Sequence, residues 1–372
     1  MDFSLSDEQR ATQETFRRFA EREVKPQARD LDENPRFPAE LFQKLGALGF
    51  FGMRYPAPEG NGADLLSYLL AVEEIAAASL SLAAAATMQS LMGTYFVHKF
   101  TTGETRQRLF APALRGDKIG TICMTEPDAG SDLFGMRTRA EQRGGTWFIS
   151  GQKIWITSAP VADLFTVFAR TGDKQLSLYL VEKGAPGLVV GRPIEKMGVR
   201  SSLTSEVAFD DAPATCLLGE FGQGTGYLRE ILAEIRLMTA ALALGVARSA
   251  LQDAVAYARQ RKQFGQAIAR FQAVQIHLAD MAVELEAARH LVEWAAWRSE
   301  QGLPNDDQAA VAKLRASEMA HLVCDRAARV LGSYGFATDF PVQRYLRDAR
   351  FTLIGGGTSE ILKINIAKGL CK

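Results

Sequence analysis

Three short segments of the sequence carry residue types that suit a ligand with a polar ring and phosphates. Gly130 and Ser131 supply backbone N–H groups and a hydroxyl, which can meet a polar or anionic ring edge. Trp155 and Thr157 are two residues apart, so in a strand they share a face and can stack and hydrogen-bond together. Arg261 offers a planar fork that matches a diphosphate. Alone, Trp155 is typical of a buried strand aromatic and Arg261 of a cation at a helix C-terminus, so the functional interpretation depends on their occurring together.

A run of three glycines in "IGGGTSEI" (residues 354–361) is the second unusual feature. Each glycine loses more backbone freedom on folding than any other residue. The run therefore indicates either a tight turn or the close approach of a ligand. It stands directly before what looks like a helix start at Thr358 and Ser359.

Charge and the scatter of metal-ligand residues exclude several classes of partner. Forty-three basic and 43 acidic residues leave a formal net charge of zero, which argues against nucleic acid. The four cysteines and four histidines lie far apart without ligand spacing, so no metal site is expected. The N-terminus lacks a signal-peptide pattern, and the small apolar stretch at 76–87 is too short and too Ser-rich for a membrane span. We therefore expect a cytoplasmic protein that neither spans nor binds a membrane.

The chain changes character twice, which predicts an α+β protein of three domains. Residues 1–115 have helical spacing, and Ser6 with Gln9 predicts a capping box at the first helix. Residues 116–222 switch to a period of two, with strands predicted at 146–158, 163–170, 176–183 and 205–211. Residues 223–372 return to long amphipathic helices, as in a helical bundle.

Four segments together resemble the acyl-CoA dehydrogenase flavoprotein family. They read "MTEPDAGSD" (124–132), "GQKIWITSA" (151–159), "RKQFGQAIARFQAVQ" (261–275) and "RDARFTLIGGGTSEI" (347–361). The resemblance covers essentially the whole chain, and the order and spacing of the segments match. It implies an N-terminal α-helical domain, a middle β-barrel-like domain and a C-terminal four-helix bundle. It also implies bound FAD, a homotetramer built as a dimer of dimers, and an electron-transferring flavoprotein as possible partner.

The resemblance also implies roles for individual residues. Met124, Thr125, Gly130 and Ser131 would lie on the loop under the flavin. Trp155 and Thr157 would flank the ring. Arg261 and Phe264 would reach the FAD of a neighbouring subunit. Further cofactor contacts would come from Gly332, Thr358 and Glu360. The predicted substrate contacts are Ser131, Arg236 and Gly356.

The usual catalytic carboxylate of the family is missing from this sequence. Gly356 stands where most members have the glutamate that removes the α-proton, so we expect the glycines to allow a close backbone pass by thioester or flavin. Other members place the glutamate before Arg236, at the position of Ile235. Here Glu234 lies one residue early, roughly 100° away around a helix, and a π-bulge would restore its direction. Glu234 is therefore the candidate base, with a salt-bridged surface residue as the alternative and Glu360 as a weaker candidate.

Three functions remain open at this point. The first is an FAD-dependent oxidoreductase that introduces an α,β double bond into an acyl thioester carried by CoA or by an acyl-carrier protein. The second is a family member with altered chemistry and no base, such as a desulfinase-like lyase or a flavin hydroxylase. The third is a non-catalytic flavin-binding subunit.

Overall fold

The computed structural model describes residues 4–172 and 175–371, and within them seven α-helices form the N-terminal region. Ser6 and Gln9 make the predicted capping box, because Gln9 N donates to Ser6 Oγ at 3.1 Å and Ser6 N donates to Gln9 Oε1 at 2.9 Å. The helices are α1 (Asp7–Phe19), α2 (Ala28–Glu33), α3 (Ala39–Ala47), α4 (Leu65–Ala78), α5 (Leu80–Thr87), α6 (Tyr95–Phe100) and α7 (Gly103–Arg115). Because α4 and α5 are buried almost throughout, they form the centre of this region.

An eight-stranded sheet forms the middle of the described chain. Its order is β6-β7-β3-β2-β4-β5-β8, and β1 pairs in parallel with β4. The strands are β1 (Gly120–Cys123), β2 (Arg139–Arg143), β3 (Thr146–Thr157), β4 (Leu164–Gly172), β5 (Gln175–Glu182), β6 (Leu188–Val190), β7 (Thr204–Pro213) and β8 (Cys216–Leu218). The four predicted strands are confirmed. The other four were not predicted, since runs of three to five residues give too little alternation to recognise.

Long helices follow the sheet. They are α8 (Gly224–Gln260), α9 (Gln272–Glu300), α10 (Asp306–Leu331), α11 (Val342–Thr352) and α12 (Ser359–Leu370), with a small hairpin of β9 (Lys262–Gln263) and β10 (Gln266–Ala267) between α8 and α9. The centre of α8 is buried over residues 235–247, where it packs against α4 and α10. In the part of the chain that the structure describes, no helix is long and apolar enough to cross a membrane, and no cluster of side chains could hold a metal ion.

Buried ion pairs fix α8 and α9 to the N-terminal region. Glu73 accepts two hydrogen bonds from Arg289, at 2.7 and 2.9 Å, and Arg248 Nη2 donates to Glu74 Oε2 at 2.6 Å. Both carboxylates are almost fully buried, and each has a second arginine, since Arg248 Nε lies 3.0 Å from Glu73 Oε1 and Arg17 Nη2 lies 3.2 Å from Glu74 Oε1. These pairs hold α8 in a fixed orientation relative to the N-terminal helices.

Candidate active site

The glycine run forms a turn between α11 and α12, called here the glycine turn (residues 355–357), and the packing of the protein itself requires it. Gly356 and Gly357 have φ values of +71° and +103°, which residues with a side chain rarely adopt. A Cβ on Gly356 would lie 2.8 Å from Thr239 Oγ1 on α8, and one on Gly355 would lie 2.9 Å from the Phe351 ring. The close backbone pass expected from the sequence is present, but the nearby atoms belong to Phe351 and Thr239.

Alanine at position 356 tests this explanation. We expect Gly356→Ala to lower the free energy of unfolding by at least about 1–2 kcal/mol, the cost of left-handed backbone for an L-residue. Gly144→Ala is the matched control, because Gly144 also has positive φ (+58°) but open space around its Cβ position. In chemical denaturation, Gly356→Ala should lose more than Gly144→Ala, because only the former meets Thr239. Equal losses would contradict the packing explanation.

Glu234 lies in a regular part of α8 and forms an ion pair with the N-terminal region. The helix is α-helical from Gly224 to Gln260, and the π-helical turns of the described chain lie elsewhere, at Ala20–Val24 and Met88–Met92. The π-bulge that could have restored the direction of Glu234 is therefore absent from α8. Arg54 Nη2 donates to Glu234 Oε1 at 2.8 Å, so the salt-bridged alternative describes its contacts. Its role as a base stays a prediction.

A cavity of about 440 Å³ lies between the N-terminal region and α8, and Glu234 is part of its wall. Two aromatic residues, Tyr55 and Tyr95, share this wall with several charged side chains. The cations are each paired with a carboxylate: Arg54 with Glu234, Lys99 with Glu230, and Arg106 with Glu59.

A buried ion pair holds the loop of residues 124–131 against β3. Lys153 is fully buried, and its Nζ donates to Glu126 Oε1 at 2.9 Å and to the Met124 carbonyl at 3.0 Å. Burial would raise the pKa of Glu126, but hydrogen bonds from Arg137, Thr138 and Lys153 lower it below its usual value, while burial lowers the pKa of Lys153. The sequence reasoning missed both residues, although a lysine at an inward strand position signals a buried partner.

The same loop presents the predicted cofactor residues on its open side. Met124 and Thr125 are half-buried, whereas Gly130 and Ser131 are exposed. The Thr125 carbonyl accepts from Ile154 N at 2.9 Å, which joins the loop to β3. A Cβ on Gly130 would meet no described atom within 4 Å. Internal packing therefore does not require glycine there, and close approach of a ligand would explain it.

Trp155 is turned outward by an irregularity in β3. The pairing of β3 with β7 shifts between Lys153 and Ile156, as in a β-bulge, and bulges often re-aim a side chain beside an active site. Trp155 has a φ of +62° and is 55% exposed, Ile156 is buried, and Thr157 is half-buried. Since a strained backbone that exposes a large aromatic is costly, Trp155 is well explained as a platform for a flat ligand.

Arg261 ends α8 as its C-cap, and Phe264 lies in the turn of the β9–β10 hairpin that follows directly. Phe264 has a φ of +50° and is 93% exposed, and the Arg261 guanidinium lies 5.7 Å from the Tyr334 ring centroid. Gly332 is the C-cap of α10 and lies two residues before Tyr334. It has a φ of +62°, and no described atom lies within 4 Å of its Cβ position. Such an exposed aromatic agrees with the expectation that the hairpin reaches a neighbouring subunit, which stays a prediction.

Thr358 and Glu360 lie at the N-terminus of α12, directly after the glycine turn. Thr358 caps the helix, because its Oγ1 accepts from Ile361 N at 3.3 Å. Glu360 is exposed, and hydrogen bonds from its own backbone N–H and from the Thr358 hydroxyl lower its pKa below the usual value. An exposed carboxylate with a lowered pKa is a weak general base.

Two buried cations lie behind the glycine turn. Arg236 is 7% exposed, and its Nη1 donates to the Asp306 carbonyl at 3.0 Å. Lys313 on α10 is fully buried, and its Nζ donates to the Gly357 carbonyl at 2.7 Å. Burial lowers the pKa of Lys313 to about 8. Lys313 was not predicted; a lysine on the buried face of a helix was the available signal.

The residues that the family resemblance assigns to FAD fit a flavin dinucleotide. Gly130 leaves open space above its loop, Trp155 presents an exposed ring beside that loop, and Arg261 with Phe264 presents a cation and an aromatic. Gly130 and Trp155 match the flat ring system of one FAD, and Arg261 with Phe264 match the diphosphate and adenine of the FAD that a neighbouring subunit would hold. FAD bound there would supply the acceptor for a hydride.

Comparisons with known proteins confirm the family and the three-domain fold. The acyl-CoA dehydrogenase N-terminal, middle and C-terminal domains match residues 6–117, 121–212 and 222–371. Benzylmalonyl-CoA dehydrogenase of Aromatoleum aromaticum is 58% identical, over 99% of both chains. The solved butyryl-CoA dehydrogenase from Megasphaera elsdenii superposes with a TM-score of 0.96 at 35% identity, over 100% of both chains.

A second solved chain comes from work on the electron transferring flavoprotein of Acidaminococcus fermentans. It superposes with a TM-score of 0.96 at 37% identity and covers 100% of this chain and 99% of its own. Matches to all three domain models, together with the 58% identical relative, decide the assignment. This chain belongs to the acyl-CoA dehydrogenase family of FAD-dependent oxidoreductases.

Proposed function

We propose that this enzyme oxidises an aromatic acyl-CoA that carries a carboxylate on its α-carbon, and that loss of CO₂ replaces removal of the α-proton. In such a malonyl-type thioester, the electron pair of the Cα–carboxylate bond becomes the π electrons of the new double bond. The β-hydrogen leaves as hydride to the flavin. The products are the α,β-enoyl-CoA and CO₂, so the electron count balances without a protein base.

The observation that carries this proposal is the glycine turn. Gly356 brings no carboxylate to the position where most family members have their base, and its contact with Thr239 leaves little room for a larger side chain. Glu234, the predicted substitute, is bound by Arg54 in a regular helix. A substrate that generates its own carbanion makes both features understandable.

The substrate named for the relative at 58% identity supports the same reaction class. Its name specifies benzylmalonyl-CoA, a thioester with a carboxylate on the α-carbon and a phenyl group on the β-carbon. The cavity beside Glu234, with Tyr55 and Tyr95 in its wall, suits a phenyl ring. We therefore take benzylmalonyl-CoA as the first substrate to test.

Glu234 as general base is the second candidate, since it is the carboxylate in the wall of that cavity. The variant Glu234→Gln separates the two mechanisms. A base contributes about 10²–10⁴-fold, so its removal should reduce flavin reduction by that factor if Glu234 abstracts the proton. We expect less than about tenfold, because under our proposal Glu234 does not touch the reacting atoms. A hundredfold loss of kcat with unchanged KM would favour the base.

The proposal itself is tested by product analysis with the wild-type enzyme. Anaerobic mixing with benzylmalonyl-CoA should bleach the flavin and release one CO₂ per flavin reduced. Bleaching without CO₂ would contradict the proposal. Desulfinase-like or hydroxylase chemistry would instead give no bleaching in the absence of oxygen. A hydroxylase would form an oxygenated product only when oxygen and a reductant for the flavin are supplied, and a non-catalytic subunit would give no product.

The remaining partners are also proposals. We propose CoA as the thioester carrier, since the relative at 58% identity is named for a CoA thioester, and an acyl-carrier protein is the alternative. An electron-transferring flavoprotein is proposed as the electron acceptor. A homotetramer built as a dimer of dimers would cover Phe264, and a CoA thioester substrate agrees with the predicted cytoplasmic location.

A further inference from the structure

A second cavity, of about 390 Å³, lies where the three regions of the chain meet and is called here the junction cavity. Cations from each region line it: Arg29 on α2, Lys196 and Arg200 between β6 and β7, and Arg344 and Arg347 on α11. Within the described chain it shares no lining residue with the cavity of about 440 Å³ and none with the predicted cofactor residues. Small-molecule sites typically have volumes of about 300–1,000 Å³. The junction cavity therefore has the size of a ligand site outside the candidate active site.

The carboxylates in the wall of the junction cavity are already bound by two of its arginines. Arg29 Nε lies 2.7 Å from Glu33 Oε1, and Arg29 Nη2 lies 3.1 Å from Asp339 Oδ1. Arg347 Nη1 donates to Asp32 Oδ1 at 3.0 Å. Among the described lining residues, these three acids are the only carboxylates. The other cations of the wall therefore have no acidic partner within it.

Lys196, Arg200 and Arg344 are these other cations. In residues 4–172 and 175–371, no carboxylate oxygen lies within 4.0 Å of their charged nitrogens. Lys196 Nζ donates to the Ser202 carbonyl at 3.0 Å, which is a neutral partner. Burial and the charge of Arg200 lower the pKa of Lys196 to about 8. This direction is the one expected for a half-buried ammonium that lies close to a second cation.

Two carboxylates lie behind Arg344 without lining the junction cavity. Asp348 is 3% exposed, and its Oδ1 accepts from Val199 N at 2.6 Å. Asp253 Oδ2 accepts from the Tyr345 hydroxyl at 3.1 Å. Both acids interact with the charge of Arg344, which explains how a guanidinium at 8% exposure stays charged. The surplus of positive charge that faces the cavity therefore comes mainly from the other two cations.

We propose that the junction cavity binds a phosphate group, held chiefly by Lys196 and Arg200 with Arg344 as a third donor. A phosphate monoester carries nearly two negative charges at neutral pH and has several acceptor oxygens. It therefore matches an ammonium group beside planar guanidinium forks. Because the wall belongs to all three regions of the chain, a bound phosphate would join them and stabilise the folded protein. The inference does not depend on the proposed function.

Calorimetric titration of the FAD-loaded enzyme at pH 7 tests the site, with inorganic phosphate and AMP as probes. We expect at least one probe to bind with a dissociation constant below about 1 mM. At a hundredfold excess over that constant it should raise the melting temperature by about 3 °C, whereas potassium chloride at equal ionic strength should not. Binding of inorganic phosphate alone would identify the free ion as ligand, and tighter binding of AMP would identify a phosphate monoester. Binding of neither probe would overturn the inference.

Substitutions distinguish the junction cavity from the places where the phosphates of CoA and FAD would bind. Lys196→Met and Arg200→Met should each weaken probe binding at least about tenfold, because each removes a positive charge from the wall. Arg192→Met is the matched control, since Arg192 is an exposed cation of the same segment that does not line the cavity. It should leave the dissociation constant within about twofold. Equal binding by all three variants would place the phosphate elsewhere and overturn the inference.

A location measurement on the wild-type enzyme covers the case in which neither cavity variant folds. Crystals of the FAD-loaded enzyme would be soaked in tungstate, a heavy analogue of phosphate. We expect anomalous density between Lys196 and Arg200. Density that appears only outside the junction cavity, or none at all, would contradict the proposal.

Discussion

Under anaerobic conditions, benzylmalonyl-CoA is expected to reduce the enzyme-bound flavin at least about a hundredfold faster than 3-phenylpropionyl-CoA, because a missing general base costs about 10²–10⁴-fold. The two thioesters differ only in the α-carboxylate. The first can lose CO₂ to form its carbanion, whereas the second needs a base to remove a proton. Gly356 provides none, and Glu234 is bound to Arg54.

The control for this prediction is binding. 3-Phenylpropionyl-CoA should perturb the flavin absorbance at micromolar to millimolar concentration and compete with benzylmalonyl-CoA, which would show that its slow reaction lies in the chemistry. Reduction by both thioesters at similar rates would mean that a base is present, and Glu234 would then be the residue to test first.

Replacement of Lys153, which lies behind the loop of residues 124–131, is expected to have the largest effect on stability. Lys153→Met leaves Glu126 buried without its cation, and breaking a buried ion pair costs about 3–5 kcal/mol. Because Lys153 also holds the Met124 carbonyl, we expect the loop of residues 124–131 to lose its position. The purified variant should therefore lose bound flavin as well as thermal stability, which flavin absorbance and a melting curve would show.

Lys183→Met is the matched control for this variant. Lys183 is 66% exposed and lies 4.0 Å from Asp163, a surface pair of the kind that contributes little. The Lys183→Met protein should keep its bound flavin and the melting temperature of the wild-type protein. A Lys153→Met protein that matches this control in both measurements would show that the buried pair does not hold the loop.

The sequence pattern predicts those structural features that are determined by residues close together in the chain. The period of two in residues 146–158 was sufficient to predict strand β3, and the Ser6–Gln9 capping box was sufficient to predict the start of α1. Both predictions succeed because strand alternation and helix capping depend on residues close in sequence. The salt bridge of Glu234 was not predictable in detail, because Arg54 lies 180 residues away. The outward rotation of Trp155 depends on a bulge against β7, which alternation alone does not reveal.

The buried lysines show a similar limit. Lys153 and Lys313 stand at inward positions of a strand and a helix, and their partners, Glu126 and the Gly357 carbonyl, are brought to them by the tertiary fold. For the glycine turn, the sequence indicated a close approach but not its partner. Phe351 is near in sequence, whereas Thr239 comes from a different helix.

The most direct test of the central claim is the fate of the α-hydrogen in one anaerobic turnover. Benzylmalonyl-CoA labelled with deuterium at the α-carbon would be mixed with excess oxidised enzyme, and the product analysed at once by mass spectrometry. We predict cinnamoyl-CoA that retains the deuterium and lacks the carboxylate. Benzylidenemalonyl-CoA, with its carboxylate retained and its deuterium lost, would show that a base removes the proton and would contradict the account.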